Sequence, residues 1–272
     1  MQRLLTVLTL SLALLGTGAA VSVADVFVGD ELGNRLTGTT GPDQLYGEGG
    51  NDTLIGNIGG DYLEGGPGDD SISADQGDDL ALGGTGEDRI MGGVDEDVIY
   101  AGAGHDEVLG EDGNDTILGQ VGADRLFGGV GNDLIYTGAG GADDPDGPPS
   151  TGTVDDFADG GTGRDSLVAE GGATLLGGLG NDLIVARGGD MIIRAGGGND
   201  RIRSGGGDDR IEPASGRDRV SAGRGDDVID AADGKRDRID CGSGTDRVRA
   251  DRFDRLRRCE DRQRVRFNPR RR

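Results

Sequence analysis

The polar and apolar positions of this chain repeat with a nine-residue period. Aspartate stands at Asp43, Asp52, Asp61, Asp70, Asp79, Asp88, Asp97, Asp106, Asp115, Asp124 and Asp133, and two residues after each comes an apolar side chain, from Leu45 and Leu54 to Leu126 and Ile135. Two residues before each stands glycine, from Gly41 to Gly131, with Asp95 the exception. An apolar residue between polar neighbours predicts a short strand with one inward side chain, and the glycine predicts a turn that needs its backbone freedom. Such a unit buries no core alone, so units must alternate sides and stack, two of them making a rung of about 18 residues. The expected fold is all-β, a flattened solenoid of about 13 rungs and on the order of 60 Å long.

In such a coil, residues 18 apart lie above one another at the strand spacing of about 4.8 Å. Asp43, Asp61, Asp79, Asp97, Asp115 and Asp133 then form one column, and the other five aspartates a second. Two unit charges at about 4 Å cost about 1 kcal/mol even in water and more near protein, so ladders of bare carboxylates repel. A hard divalent cation relieves that repulsion. Calcium takes about 6–8 oxygen ligands in flexible geometry, and the glycine turn offers backbone carbonyls to make up the number; magnesium wants a tight octahedron and keeps its waters.

Several units read Gly-Gly-x-Gly-x-Asp-x-apolar in full: Gly65 to Ile72, Gly83 to Ile90, Gly128 to Ile135 and Gly177 to Ile184. They resemble the hemolysin-type calcium-binding repeats (RTX), whose nonapeptide is G-G-x-G-x-D-x-U-x with U apolar. The resemblance implies a right-handed parallel β-roll or β-helix with calcium ions stacked in the turns. Each ion would sit between loops n and n+2, held by aspartate carboxylates and by carbonyls of the glycine turn. The alternative for such a composition, a glycine-rich acidic disordered segment, would not keep glycine, aspartate and an aliphatic residue in phase from Gly41 to Ile135.

Glycine makes up 57 of 272 residues, aromatics 3 %, and tryptophan is absent, which excludes a thick globular core. Residues 1–198 carry 7 Lys and Arg against 35 Asp and Glu, whereas residues 199–272 carry 21 against 16. Low hydrophobicity and high negative charge predict a disordered segment without calcium, so that ion binding supplies folding energy. Extracellular calcium modules bind at about 10⁻⁴–10⁻³ M, which suits a chain unfolded inside a low-calcium cell and folded outside it.

A second, less regular array follows at Asp165, Asp182, Asp200, Asp209, Asp218, Asp227, Asp237 and Asp246. Thr174 and Met191 fall in two aspartate slots, with Leu176 and Ile193 as the inward apolar residues, so the coil is expected to persist there without a carboxylate. One residue is missing between Asp165 and Asp182, and one is added before Asp237. Arginine often follows the aspartate, at Arg201, Arg210, Arg219, Arg238 and Arg247, pointing outward as a solvated face or as a basic stripe for anionic polymers. Between the arrays, residues 138–156 include Asp143-Asp144-Pro145-Asp146-Gly147-Pro148-Pro149, read as a loop extruded from the roll without EF-hand spacing.

The organisation expected is therefore a signal peptide at 1–24, a first array at 25–137, the loop at 138–156, a second array at 157–250, and an arginine-rich cap and tail at 251–272. Arg3, the apolar run Leu4 to Leu15 and the small residues up to Ala24 carry the signal reading. The apolar run is too short to anchor the chain across a bilayer, and no transmembrane segment is expected. Many repeats of this kind accompany a C-terminal secretion signal instead, so no toxin activity is inferred. Cys241 and Cys259 are 18 residues apart, one rung, and should lie one above the other as a disulfide; a zinc site is the alternative, weakened by a single distant His105. Ten arginines between Arg252 and Arg272 suit cell-wall polyanion, phospholipid headgroups or nucleic acid, the last weakest because no run of interleaved aromatics supports base stacking.

No nucleophile elbow, zinc helix, phosphate loop or dinucleotide fingerprint is present, and a single histidine leaves no histidine-based triad. The favoured function is a secreted, non-enzymatic calcium-binding protein at the cell surface or in a matrix, structural or adhesive. The alternative is a carbohydrate-active β-helix, a lyase or epimerase of acidic polysaccharide.

Overall fold

The computed structural model describes residues 24–138 and 156–265, and among these every regular element is a strand. Residues 1–23 of the expected signal peptide, residues 139–155 of the expected loop and the last seven residues of the tail lie outside the described residues. The strands form two parallel sheets of 13 and 14 strands, and the chain crosses from one to the other at every unit. Each strand therefore pairs with the one two places along: Leu45 lies against Leu63 in the first sheet, and Leu54 against Ile72 in the second. The chain is thus a parallel β-solenoid of about 18 residues per turn. No helix among the described residues is long and apolar enough to cross a membrane.

Alternation along each short strand decides what is inside. The aspartate, the residue two after it and the residue four after it point inward, while the positions between point out. The apolar ladder from Leu45 to Ile135, continued by Leu167, Ile184 and Ile202, is almost wholly buried. The third inward position is kept small: glycine at Gly47, Gly56 and Gly65, alanine at Ala74 and Ala101. The next ladder carboxylate and the neighbouring strand crowd it, since a Cβ at Gly160 would come within 2.7 Å of both the Asp165 carboxylate and the Gly177 carbonyl.

The outward faces differ. The first sheet carries all four tyrosines of the chain, Tyr46, Tyr62, Tyr100 and Tyr136, among Leu80, Leu82, Leu118 and Leu134, and then turns basic at Arg201, Arg219, Arg238 and Arg255. The second sheet mixes serine, threonine and charge with Ile55, Met91, Leu109 and Phe127 over the same length.

The irregularities of the second array are absorbed in turns. Across the expected loop the register jumps by 32 residues, with Arg125 against Phe157, and the next rung is one residue short, with Ser166 against Leu183. That short rung corrects one placement. Phe157 pairs with Thr174, so Thr174 and Leu176 face outward, and the aspartate slot and the inward apolar position belong to Ala173 and Leu175. The missing residue lies in the turn before Ala173, where counting in nines from Asp165 overshoots by one. Met191 does occupy an aspartate slot, buried, with Ile193 inward beyond it. Asp156, at the far boundary of the expected loop, begins a strand. The extra residue before Asp237 appears as the pairing of Arg219 with Arg238.

The segment after residue 250 adds one more strand to each sheet, Arg255–Arg257 and Asp261–Arg264. A disulfide joins Cys241 to Cys259 with the Cα atoms 5.2 Å apart, both cysteines buried and one rung apart at the C-terminal end.

Candidate metal centre

The aspartates expected to bind metal stand in the two columns that the spacing predicts. In the first, the N–H of Asp43 donates to Oδ1 of Asp61 at 2.7 Å, and the same bond recurs from Asp61 to Asp79, Asp97, Asp115, Asp133, Asp165, Asp182, Asp200, Asp218 and Asp237. In the second it links Asp52, Asp70, Asp88, Asp106, Asp124 and Asp156, breaks at Ala173, and resumes from Met191 through Asp209 and Asp227 to Asp246. Each carboxylate thus spends one oxygen on the backbone of the rung before it. All of these side chains are buried.

The second oxygen is the informative one. In the first column, Oδ2 of Asp61, Asp79, Asp97, Asp115, Asp133, Asp165, Asp182, Asp200, Asp218 and Asp237 is buried without a hydrogen-bond partner. Asp52, Asp70, Asp88, Asp106 and Asp227 repeat this in the second. At the two ends of the first column it is satisfied: the N–H and hydroxyl of Thr39 both donate to Asp43, and the Asp251 N–H donates to Oδ2 of Asp254. A buried anion with an unmet lone pair is costly, and burial accordingly pushes Asp79 and Asp237 up to about 8, and Asp88, Asp97, Asp165 and Asp218 to about 7. The backbone N–H of the preceding rung opposes this, and neighbouring aspartates of the ladder add to it.

No three histidine, cysteine or acidic side chains converge on one point among the described residues, because the ladder holds the carboxylates one rung apart. A cation between rungs would therefore take one or two carboxylate oxygens and draw the rest from backbone carbonyls. The turns supply them: a Cβ at Gly86, where φ is +128°, would strike the carbonyl of Gly68 one rung below, and the same collision recurs at Gly77, Gly104 and Gly122. Asp95 takes the glycine's place with φ +88°. The orphaned carboxylate oxygens lie near carbonyls of the inward glycine position, as Asp52 Oδ2 and the Gly65 carbonyl both crowd a Cβ placed at Gly47, and with the turn carbonyls they form an all-oxygen donor set, which suits a hard, flexible ion such as calcium.

The repeat pattern does not mark three further members of the ladders. Asp156 follows Val154, Asp254 follows Arg252, and Glu260 replaces aspartate altogether, yet each accepts the N–H of the residue one rung earlier: Asp124, Asp237 and Asp246. The nine-residue spacing of Asp156 from Asp165, and the small Ala158 two residues on, are the signal for the first. The residue before each aspartate also has a role. Asn51 accepts the Asp69 N–H, Asp69 that of Glu87, and His105 Nδ1 that of Ala123, so this outward position pins successive turns together.

The family model of the RTX calcium-binding nonapeptide repeat (4 copies) matches residues 28–63, 55–88, 82–117, 109–141, 150–173, 174–190, 192–220 and 214–248. No curated protein matches the chain significantly.

Proposed function

Because the chain belongs to the RTX calcium-binding repeat family, we propose that it is a secreted, non-enzymatic roll that folds on binding calcium and serves as a structural or adhesive element at the cell surface or in a matrix. The observation that carries this reading is the series of buried, unpartnered Oδ2 atoms, repeated rung after rung. A fold that buries so many desolvated carboxylates around one apolar side chain per unit needs an outside source of stability, and a divalent cation supplies it. The ligating groups are Asp43, Asp52, Asp61, Asp70, Asp79, Asp88, Asp97, Asp106, Asp115, Asp124, Asp133, Asp165, Asp182, Asp200, Asp209, Asp218, Asp227, Asp237 and Asp246, with turn carbonyls completing each shell. Ala173 and Met191 leave two rungs of the second column without a carboxylate. The arginine-rich C-terminal end is the part suited to an anionic surface polymer.

The test is far-UV circular dichroism of residues 25–272 during a calcium titration, with magnesium as control. A cooperative coil-to-β transition specific to calcium is the expected result. A spectrum already β-rich in chelator and indifferent to calcium overturns the ion-coupled reading. Release of unsaturated or epimerised sugar from an acidic polysaccharide by the purified protein overturns the non-enzymatic one.

A further inference from the structure

Three depressions lie along one edge of the first sheet, each lined by the residues just before and just after successive first-column aspartates. Near the N-terminal end the walls are Asp78 and Glu96 opposite Leu80 and Val98. In the middle they are Asn181 and Asn199 opposite Leu183 and Arg201. At the C-terminal end Arg217 and Arg236 face Arg219 and Arg238, with Lys235 beside them and Phe253 closing the end of a cavity of about 480 Å³. The edge thus passes from acidic to strongly basic.

These five cations are exposed, and none forms an ion pair among the described residues, whereas Arg194, Arg249 and Arg258 nearby are paired with Glu212, Asp230 and Asp240. The carboxylates within reach are committed elsewhere. Asp218 and Asp237 are buried in the ladder, and Asp233 accepts the N–H groups of Gly216 and Lys235. In a chain of net charge −23, five cations without a counter-charge in one cavity mark a place for an external anion.

The register gives the shape of that anion. Arg219 lies against Arg238 on adjacent strands, and Arg217 and Arg236 each precede ladder aspartates one rung apart, so two rows of guanidinium groups flank the groove with a rise of about 4.8 Å. A pyranose unit in an extended polysaccharide is of similar length. We propose that this groove binds an extended acidic polysaccharide carrying one carboxylate per sugar. Each carboxylate lies between an arginine of either row, where the planar guanidinium takes it in bidentate fashion, and at the end the Phe253 ring, with the Arg252 guanidinium stacked over it 4.5 Å from its centre, closes the groove. A single-stranded nucleic acid needs a run of stacking aromatics, and Phe253 is alone. The proposal rests on the calcium-folded roll, because the two rows exist only when rungs are stacked.

The test titrates the full chain, in saturating calcium, with an oligogalacturonate too short to gel, alongside a neutral oligoglucose. Binding of the uronate alone, weakened by added salt and about tenfold or more weaker in the Arg219→Glu/Arg238→Glu variant, is the expected result. An Arg217→Gln/Arg236→Gln variant should lose affinity as well, and both variants should keep the wild-type calcium transition in circular dichroism. Unchanged affinity in the groove variants, loss on neutralising Arg270 to Arg272 instead, or tighter binding to polyphosphate, single-stranded DNA or anionic vesicles overturns the proposal. A normal calcium transition without uronate binding overturns it alone; absence of the transition overturns the roll reading and this one together.

Discussion

At the scale of the residue, the two oxygens of each ladder aspartate do different work, and substitution separates them. Oδ1 of Asp115 accepts the N–H of Asp97, while its Oδ2 is buried without a partner, and burial raises its pKa. Asp115→Asn keeps an acceptor for the backbone but removes the desolvated charge. In chelator the variant should be no less stable than the parent, and in calcium it should need more ion to reach the folding midpoint. Parallel calcium titrations by circular dichroism check this; an equal loss of stability in both conditions would make Asp115 a purely structural residue. Glycine carries the complementary constraint. Gly86 has φ +128°, and a Cβ there would overlap the Gly68 carbonyl, whereas a Cβ at Gly188 meets only the Gly206 carbonyl at 3.9 Å. Gly86→Ala should therefore cost about 1–3 kcal/mol in chemical unfolding of the calcium form, and Gly188→Ala much less.

At the scale of the element, the closing rung is the weak point, since a solenoid end has a neighbour on one side only. The disulfide between Cys241 and Cys259 spans that rung. Reduction, or a Cys241→Ala/Cys259→Ala variant, should lower stability by about 3 kcal/mol and open the chain after residue 250 to protease, leaving earlier rungs protected. The spacing of the two cysteines made this pairing legible in the sequence, as the nine-residue period made the strands, the two aspartate columns and the buried Leu45-to-Ile135 ladder legible. Other features required three dimensions. Ala173 and Leu175 displaced Thr174 and Leu176 because side-chain alternation, not counting in nines, decides which residue faces in once a turn loses a residue. Asp254 and Glu260 were hidden because the glycine before them is gone, although the register still carries them into the ladder. The contrast between the two outward faces was hidden as well: the nine-residue period overlays both sheets, and only the 18-residue one places Tyr46, Tyr62, Tyr100 and Tyr136 on the same sheet.

At the scale of the whole molecule, the proposed calcium ligands are the same buried carboxylates that take up protons, which predicts opposite pH dependences for the roll with and without the ion. In the folded chain the groups of Asp61, Asp70, Asp133 and Asp182 titrate at about 6, those of Asp88, Asp97 and Asp165 at about 7, and Asp79 and Asp237 at about 8, against 3.8 for an unburied aspartate. A raised carboxyl pKa means that the folded state holds protons which the unfolded state has released. Without calcium this contribution to stability is fully present below about pH 4 and is lost as pH rises towards about 8. In chelator the β signal should therefore be strongest in mild acid and disappear at alkaline pH. With calcium the order reverses: the ion requires deprotonated oxygens, so the calcium midpoint should fall steadily as pH rises over the same window. Circular dichroism over pH 4 to 9, in chelator and during a calcium titration at each pH, reads both branches. Two curves sloping the same way would mean that the ladder carboxylates are not the groups linking the ion to the fold.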